Sequence, residues 1–251
     1  MITSPIPNNE AARLSAVKEL AILDTPAEKR FDRITNLAIK LFAVPISTLT
    51  IMDSDREWFK SCQGLEKKEG PRAIAFCGHV VAMEKDVLIV EDTLKDERFV
   101  DNPMVTGEPH IRFYAGVPIF SLSDDRIGVF CIKDVKPRAL SESEIYLLKT
   151  LASWVELEVN MVSLRKVLDE GQDVGRLEQM VKRLVNRDAI TNLKSIKLGL
   201  GSKMRSWSKR EIKECEESID YIKILILKIE SLEANAQTIT SLASSSVSLV
   251  G

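Results

Sequence analysis

Apolar residues near the start of the chain recur every three or four positions. Ala12, Leu14, Val17, Leu20 and Ala21 fall on one face of a helix that Asn8 or Asn9 would cap. Asp24-Thr25-Pro26 ends it. Thr25 as N-cap, Pro26 at the first helical position and Glu28 completing a capping box predict a second helix to about Leu41. Phe31, Ile34, Leu37, Ala38, Leu41 and Phe42 form its core face. After Val44-Pro45 the period drops to two. Residues 46–52 read as a strand, with Ile46, Thr48 and Thr50 on one side and Ser47, Leu49 and Ile51 on the other. Asp53-Ser54-Asp55 turns the chain, and residues 56–62 return as the second arm of an antiparallel hairpin.

Residues 67–71 are a polar break, and 74–83 a short apolar helix carrying Cys77 and His79. A third strand is expected at 87–91, a loop or short helix at 92–99, and strands at 111–120 and 127–133 with a hairpin turn over 121–125. Between them, Asp101-Asn102-Pro103 and Thr106-Gly107-Glu108-Pro109 are breaker clusters that make an adaptable loop ahead of a stiff strand. Consecutive hairpins, with helices mostly at the two ends, predict an α+β domain with an antiparallel sheet.

Pro137 closes the sheet, and Ser141 with Glu144 forms a capping box for a long helix. Ile145, Leu148, Ala152, Val155, Val159 and Val162 make a heptad seam, while Leu147, Leu151, Trp154, Leu157 and Met161 make a second stripe. One helix with two apolar stripes is satisfied if one covers the sheet and the other meets the same helix of a second copy in a two-fold homodimer. The expected organisation is a domain over 1–168, a helical linker over 169–209, and a last helix and serine-rich tail over 210–251.

Composition narrows the function classes. The 251 residues are 45% hydrophobic and 29% charged, with a formal net charge of −2, which suits a soluble globular protein and gives no reason to expect nucleic acid or an anionic membrane as partner. No segment approaches a membrane span and the N-terminus lacks a secretory pattern, so the expected location is cytoplasmic. Cys62, Cys77, Cys131 and Cys215 show no CxxC spacing and read as free thiols. No phosphate-cradling G-x-x-x-x-G-K-[ST] loop is present, which removes nucleotide hydrolysis of that class. The only histidines, His79 and His110, lie off the long helices, so no complete histidine kinase is encoded. RDAITNL at 187–193 faintly resembles the opening of a diguanylate cyclase domain, without its GGDEF signature.

Five collinear blocks carry a family resemblance. NPMVTGEPHIRFYAGVPI (102–119), with LAILDTPAEKRFDRITNL (20–37), VPISTLTIMDSDREWFKSCQG (44–64), AFCGHVV (75–81) and RIGVFCIKDVKPRAL (126–140), is similar to the GAF domains that precede diguanylate cyclases and sensor histidine kinases in bacteria. The resemblance covers about two thirds of the chain. It implies a GAF fold: a central antiparallel sheet, N- and C-terminal helices on one face, and shorter elements covering a pocket beneath the FYAG strand on the other. A helical, coiled-coil extension would follow.

The candidate pocket residues are Cys77, His79, Asp92, Arg112, Phe113, Tyr114, Gly116 and Cys131. A thiol beside an imidazole suits a nucleophile, a redox thiol or a tetrapyrrole attachment point, and Cys77 also suits a small buried hydrophobe. Arg112 and Arg98 suit an anionic ligand or a salt bridge. Phe113 and Tyr114 must face opposite sides of their strand, one toward the core and one toward the pocket. Trp58 and Trp154 read as core aromatics, and Asp53, Asp55 and Asp92 as turn residues. Cys77, His79, His110 and Cys131 match no zinc spacing, so no metal is expected and no cofactor is assigned. The resulting expectation is a regulatory GAF protein without a catalytic output domain of its own. It would sense a small molecule or redox state and transmit it through the dimeric helix to a downstream signalling protein. The alternatives are a GAF-type methionine sulfoxide reductase using Cys62, Cys77 and Cys131, or a photosensor with bilin at Cys77.

Overall fold

A computed structural model describes residues 1–169, with side-chain surroundings through residue 161. Residues 1–158 form one unit that carries the whole sheet. It opens with two helices, α1 (Glu10–Glu19) and α2 (Lys29–Phe42). On α1 the inward face is Arg13, Ala16 and Val17, continued by Leu20, while Ala12 and Ala21 are exposed, so the expected stripe is rotated. Arg13 is fully buried because its guanidinium has partners there: it donates to both Glu10 oxygens at 2.7 and 2.8 Å and to the Met52 carbonyl at 2.6 Å. On α2 all six predicted core positions are buried. The helix starts at Lys29 rather than Pro26, and no side chain caps it.

The reason lies in a strand. Lys60, buried, reaches back to Thr25 Oγ1 at 2.6 Å, the Pro26 carbonyl at 2.8 Å and Glu28 Oε1 at 2.6 Å. A buried ammonium needs oxygen acceptors more than a helix needs one extra turn, so residues 25–28 stay out of the helix around it and the predicted capping box does not form.

Strands β1 (Ile46–Met52) and β2 (Arg56–Gln63) pair antiparallel as expected, with one irregularity. Leu49 pairs with Ser61 and Thr50 with Phe59, which leaves Lys60 outside the register at a bulge. The 67–71 break contains a short edge strand, β3 (Glu69–Pro71), laid against Arg56, Glu57 and Trp58. Gly70 and Pro71 have no strand preference of their own; β2 imposes the pairing. A 3-10 turn (Arg72–Ile74) leads into α3 (Phe76–Ala82), followed by β4 (Leu88–Val90) and the short α4 (Pro103–Thr106), which Asn102 caps through Met104 N at 2.9 Å. β5 (Phe113–Phe120) and β6 (Arg126–Asp134) form the last hairpin. Ile111 and Arg112 precede β5, and their amides bond to the carbonyls of Met104 and Asp134.

The six strands run in the order β3-β2-β1-β6-β5-β4, every neighbouring pair antiparallel. All seven β1 residues are buried, so the central strands are covered on both faces. α2 packs on β1 and β2 across one face, and α3 packs on β6, β5 and β1 across the other. The last helix, α5 (Glu142–Asp169), begins with the predicted capping box: Glu144 N donates to Ser141 Oγ at 3.3 Å and Ser141 N to Glu144 Oε2 at 2.9 Å. Arg30 of α2 donates to the Glu158 carbonyl at 2.7 Å, which sets α5 on the α2 face. From the two stripes, Leu148, Leu151, Ala152, Trp154, Val155 and Leu157 are buried. The Val162 side chain, the 170–209 linker and the 210–251 helix with Cys215 lie outside the described residues. Among the described residues no helix is long and apolar enough to cross a membrane.

Candidate functional site

Strand alternation and register gather one polar set on the α3 face of the sheet. Thr48 of β1 pairs with Cys131 of β6, which pairs in turn with Gly116 of β5, while Tyr114 pairs with Lys133 and Met52 with Glu57. Paired residues share a face, so Thr48, Thr50, Glu57, Tyr114, Cys131 and Lys133 project to the same side. α3 lowers Cys77 onto them. The Cys77 and Cys131 sulfurs are 4.0 Å apart. Thr48 Oγ1 lies 3.0 Å from Cys131 Sγ, Tyr114 donates its hydroxyl to Cys77 Sγ at 3.4 Å, and Cys77 Sγ is 3.6 Å from Thr50 Oγ1.

Each of these side chains is at most 2% exposed, and an apolar and aromatic shell closes the cluster. Phe76 stacks between Phe99 at 4.2 Å and Tyr114 at 5.1 Å. These rings occupy the space beneath the FYAG strand where a cavity is expected from the sequence. Gly116 makes the arrangement feasible, because a Cβ there would sit 2.3 Å from the Tyr114 hydroxyl oxygen.

Burial makes the electrostatics strong. It pushes the Glu57 carboxyl up to about 8, with the Cys77 thiol adding to the rise and Lys133 opposing it. Glu57 Oε2 is buried without a hydrogen-bond partner. Burial also pushes Cys77 and Tyr114 well up. Cys131 goes the other way: burial alone would raise it, but the hydrogen bond with Cys77, the Lys133 charge and the Thr48 hydroxyl hold it at about 7. Burial works against the Lys133 ammonium, yet Cys131, Glu57, Cys77 and Cys62 keep it charged. The cluster thus contains a protonated acid, a fixed cation and one thiol poised to ionise.

Of the eight candidate pocket residues, Cys77, Tyr114, Gly116 and Cys131 meet here. Phe113 is buried on the opposite face, as strand alternation requires. His79 packs its ring edge on Phe99 and donates Nε2–H to the Ile2 carbonyl at 3.2 Å, so it faces the N-terminal segment rather than the sulfurs. Asp92 and Arg112 form a bidentate salt bridge with distances of 2.9 and 3.1 Å. Asp92 also lines a separate, open recess of about 490 Å³ with Val90, Lys95, Asp96, Pro137 and Arg138. Arg98 is paired with Asp96 at 2.6 Å, and Trp58 and Trp154 are buried. Among the described residues no three His, Cys, Asp or Glu side chains converge as a metal site. Thr48, Thr50, Glu57 and Lys133 belong to the cluster without having been expected there. For Glu57 and Lys133 the signal was a charged residue beside apolar neighbours in a strand, in REWF and FCIK; for Thr48 and Thr50 there was only their shared face of the first strand.

Comparison with known proteins agrees with this architecture. The chain is 34% identical over 192 residues to a cyclic di-GMP phosphodiesterase of Pseudomonas aeruginosa, an alignment covering 75% of this chain and 32% of that protein. The chain therefore spans about a third of that relative's length. Among solved structures, the GAF domain of an Acinetobacter phosphoenolpyruvate-protein phosphotransferase is 18% identical with a TM-score of 0.43, covering 64% of this chain and 97% of that one. The blue-light absorbing form of the Thermosynechococcus elongatus PixJ GAF domain is 16% identical with a TM-score of 0.45, covering 63% and 95%. The GAF domain model itself matches residues 26–159, more than half of the chain and the whole of the sheet, so the chain belongs to the GAF domain family.

Proposed function

We propose that this chain is the sensory module of a signalling protein, with its input at the Cys77–Cys131 cluster and its output through α5. The observation that carries the proposal is a group of ionisable side chains, Glu57, Cys77, Cys131 and Lys133, enclosed at the centre of the sheet under a seven-residue helix. Burying charged groups costs stability, and a fold that retains them in contact with reactive thiols is better suited to sensing than to support alone. α5 is a fitting output element because it joins the sheet rather than merely following it: Glu156 Oε2 accepts from Phe120 N at 3.1 Å, at the end of the FYAG strand. A small displacement of β5 is then felt by the helix. Biasing such a two-state element takes only about 1–3 kcal/mol of differential interaction.

A homodimer whose two copies pass the change on together is part of this proposal, but the stripes of α5 do not argue for it, since Leu148, Ala152 and Val155 of one and Leu151, Trp154 and Leu157 of the other are all buried within one copy. The Pseudomonas relative is named a cyclic di-GMP phosphodiesterase, which supports cyclic di-GMP turnover as the output that the module regulates. Native mass spectrometry of this 251-residue chain, expressed in its host, tests input and assembly together. The expected species is twice the 28.1 kDa chain mass, carrying either a bound small molecule or a mass change at cysteine. A bare, reduced 28.1 kDa monomer would overturn the proposal. A methionine sulfoxide reductase would use the same two sulfurs, and turnover of free methionine sulfoxide lost on Cys131→Ser would replace the sensory reading by that one.

A further inference from the structure

Cys77 and Cys131 stand 54 positions apart in the sequence, on a helix and a strand, yet their sulfurs are 4.0 Å apart. Thiols in a core usually serve as small hydrophobes surrounded by carbon. These two are not so placed. Cys131 has a hydroxyl at 3.0 Å and shares its sheet face with the Lys133 ammonium, while Cys77 receives the Tyr114 hydroxyl at 3.4 Å. The two sulfurs are also chemically unequal: the hydrogen bond with Cys77, the Lys133 charge and the Thr48 hydroxyl favour a thiolate at Cys131, whereas burial together with the neighbouring Cys131 sulfur keeps Cys77 a thiol.

We propose that Cys131 and Cys77 form a peroxide-sensing dithiol in which Cys131 is the nucleophile and Cys77 the resolving thiol. The Cys131 thiolate attacks one oxygen of hydrogen peroxide; the S–O bond forms, the O–O bond breaks, and the departing hydroxide takes up a proton to leave as water. Cys131 is now a sulfenic acid. The Cys77 sulfur attacks the Cys131 sulfur, the S–S bond forms as the S–O bond breaks, and the Cys77 proton leaves with the hydroxide as a second water. Two thiols lose two electrons and one peroxide is reduced to two waters.

Closing the bond draws the sulfurs from 4.0 Å to about 2 Å, so α3 must move on the sheet. It replaces the contacts of Cys131 with Thr48 and of Cys77 with Tyr114. Tyr114 belongs to β5, the strand whose far end is bonded to α5, which gives the chemistry a route to the output helix. Both sulfurs are fully buried, so peroxide enters when α3 opens. The helix has only seven residues, and the N-terminal segment holds its surroundings through Ile2 N to the Arg98 carbonyl and Ser4 N to the Ala73 carbonyl, both at 3.2 Å. Phe76 to Val81 are all buried, so the opening that admits peroxide is a rare, local one that lifts the seven-residue helix and leaves the sheet in place.

The inference rests on the sensory reading for its purpose only. Sulfur chemistry is read by mass and transmission by subunit assembly, so either fails without the other. The test uses the full chain, reduced and then treated with hydrogen peroxide, denatured in iodoacetamide and mapped as peptides, with Cys62→Ser and Cys215→Ser introduced to remove competing thiols. The expected result is a Cys77–Cys131 cross-linked peptide, loss of both alkylation sites, and full recovery with dithiothreitol. In Cys77→Ser the reaction stops at a Cys131 sulfenic acid trapped by dimedone; in Cys131→Ser, Cys77 stays alkylatable. Full alkylation of both cysteines after peroxide overturns the proposal, as does equal oxidation of Cys77 when Cys131 is absent. The first of these outcomes needs no substitution at the pair and so stands even if the variants do not fold.

Discussion

At the scale of single residues, Glu57 and Lys133 set the conditions under which the two sulfurs work. Glu57 is held protonated in the folded chain up to about pH 8, against an ordinary carboxyl value of 4.5. Between those values the unfolded chain releases the proton and the folded chain keeps it, so this group makes stability fall as pH rises through the window. Gln has the shape of the protonated acid. Glu57→Gln is therefore expected to match the parent within about 1 kcal/mol at pH 5 and to be the more stable of the two at pH 8 in urea melts. Cys131 has the opposite sign. With its thiol held at about 7, the rate of peroxide oxidation should rise about tenfold between pH 6 and 8, following the thiolate fraction. Lys133→Met removes the nearby cation, and the same rise should move to higher pH while the disulfide still forms. An unmoved profile would show that Lys133 acts on packing alone.

The elements show how local preference and tertiary demand trade off. α2 ends at Ala43 with φ 50, a left-handed conformation that costs an L-residue about 1–2 kcal/mol and glycine little. Allowing for the extra freedom glycine regains on unfolding, Ala43→Gly should stabilise the protein by about 0.5–1 kcal/mol, read from the urea midpoint. The start of α2 runs the other way. Thr25, Pro26 and Glu28 are good helix starters, and they are spent instead on Lys60. Lys60→Met should cost about 2 kcal/mol, since it deletes charged hydrogen bonds and leaves buried acceptors behind. Helix α5 shows local preference prevailing: the same Ser141 and Glu144 pairing that reads from the sequence also caps the helix, because its two groups stand three residues apart and meet within one turn.

For the whole molecule, a disulfide between Cys77 and Cys131 would tie α3 to the middle of the sheet across a loop of about 54 residues. Chain-entropy arguments put the gain at about 4 kcal/mol, before any strain in the folded state. Oxidised protein should consequently unfold at a higher urea concentration than reduced protein, and dithiothreitol should erase the difference. The sequence alone determined the antiparallel α+β plan, the β1–β2 and β5–β6 hairpins, the core face of α2 and the start of α5, because hydrophobic period and turn chemistry act between near neighbours. Tertiary structure alone decided that β3 forms, that Lys60 delays α2, that Tyr114 and not Phe113 overlies the thiols, and that Glu57 and Lys133 join Cys77 and Cys131. Strand register and the landing point of a short helix settle those contacts, and both are set by packing between segments far apart in the chain.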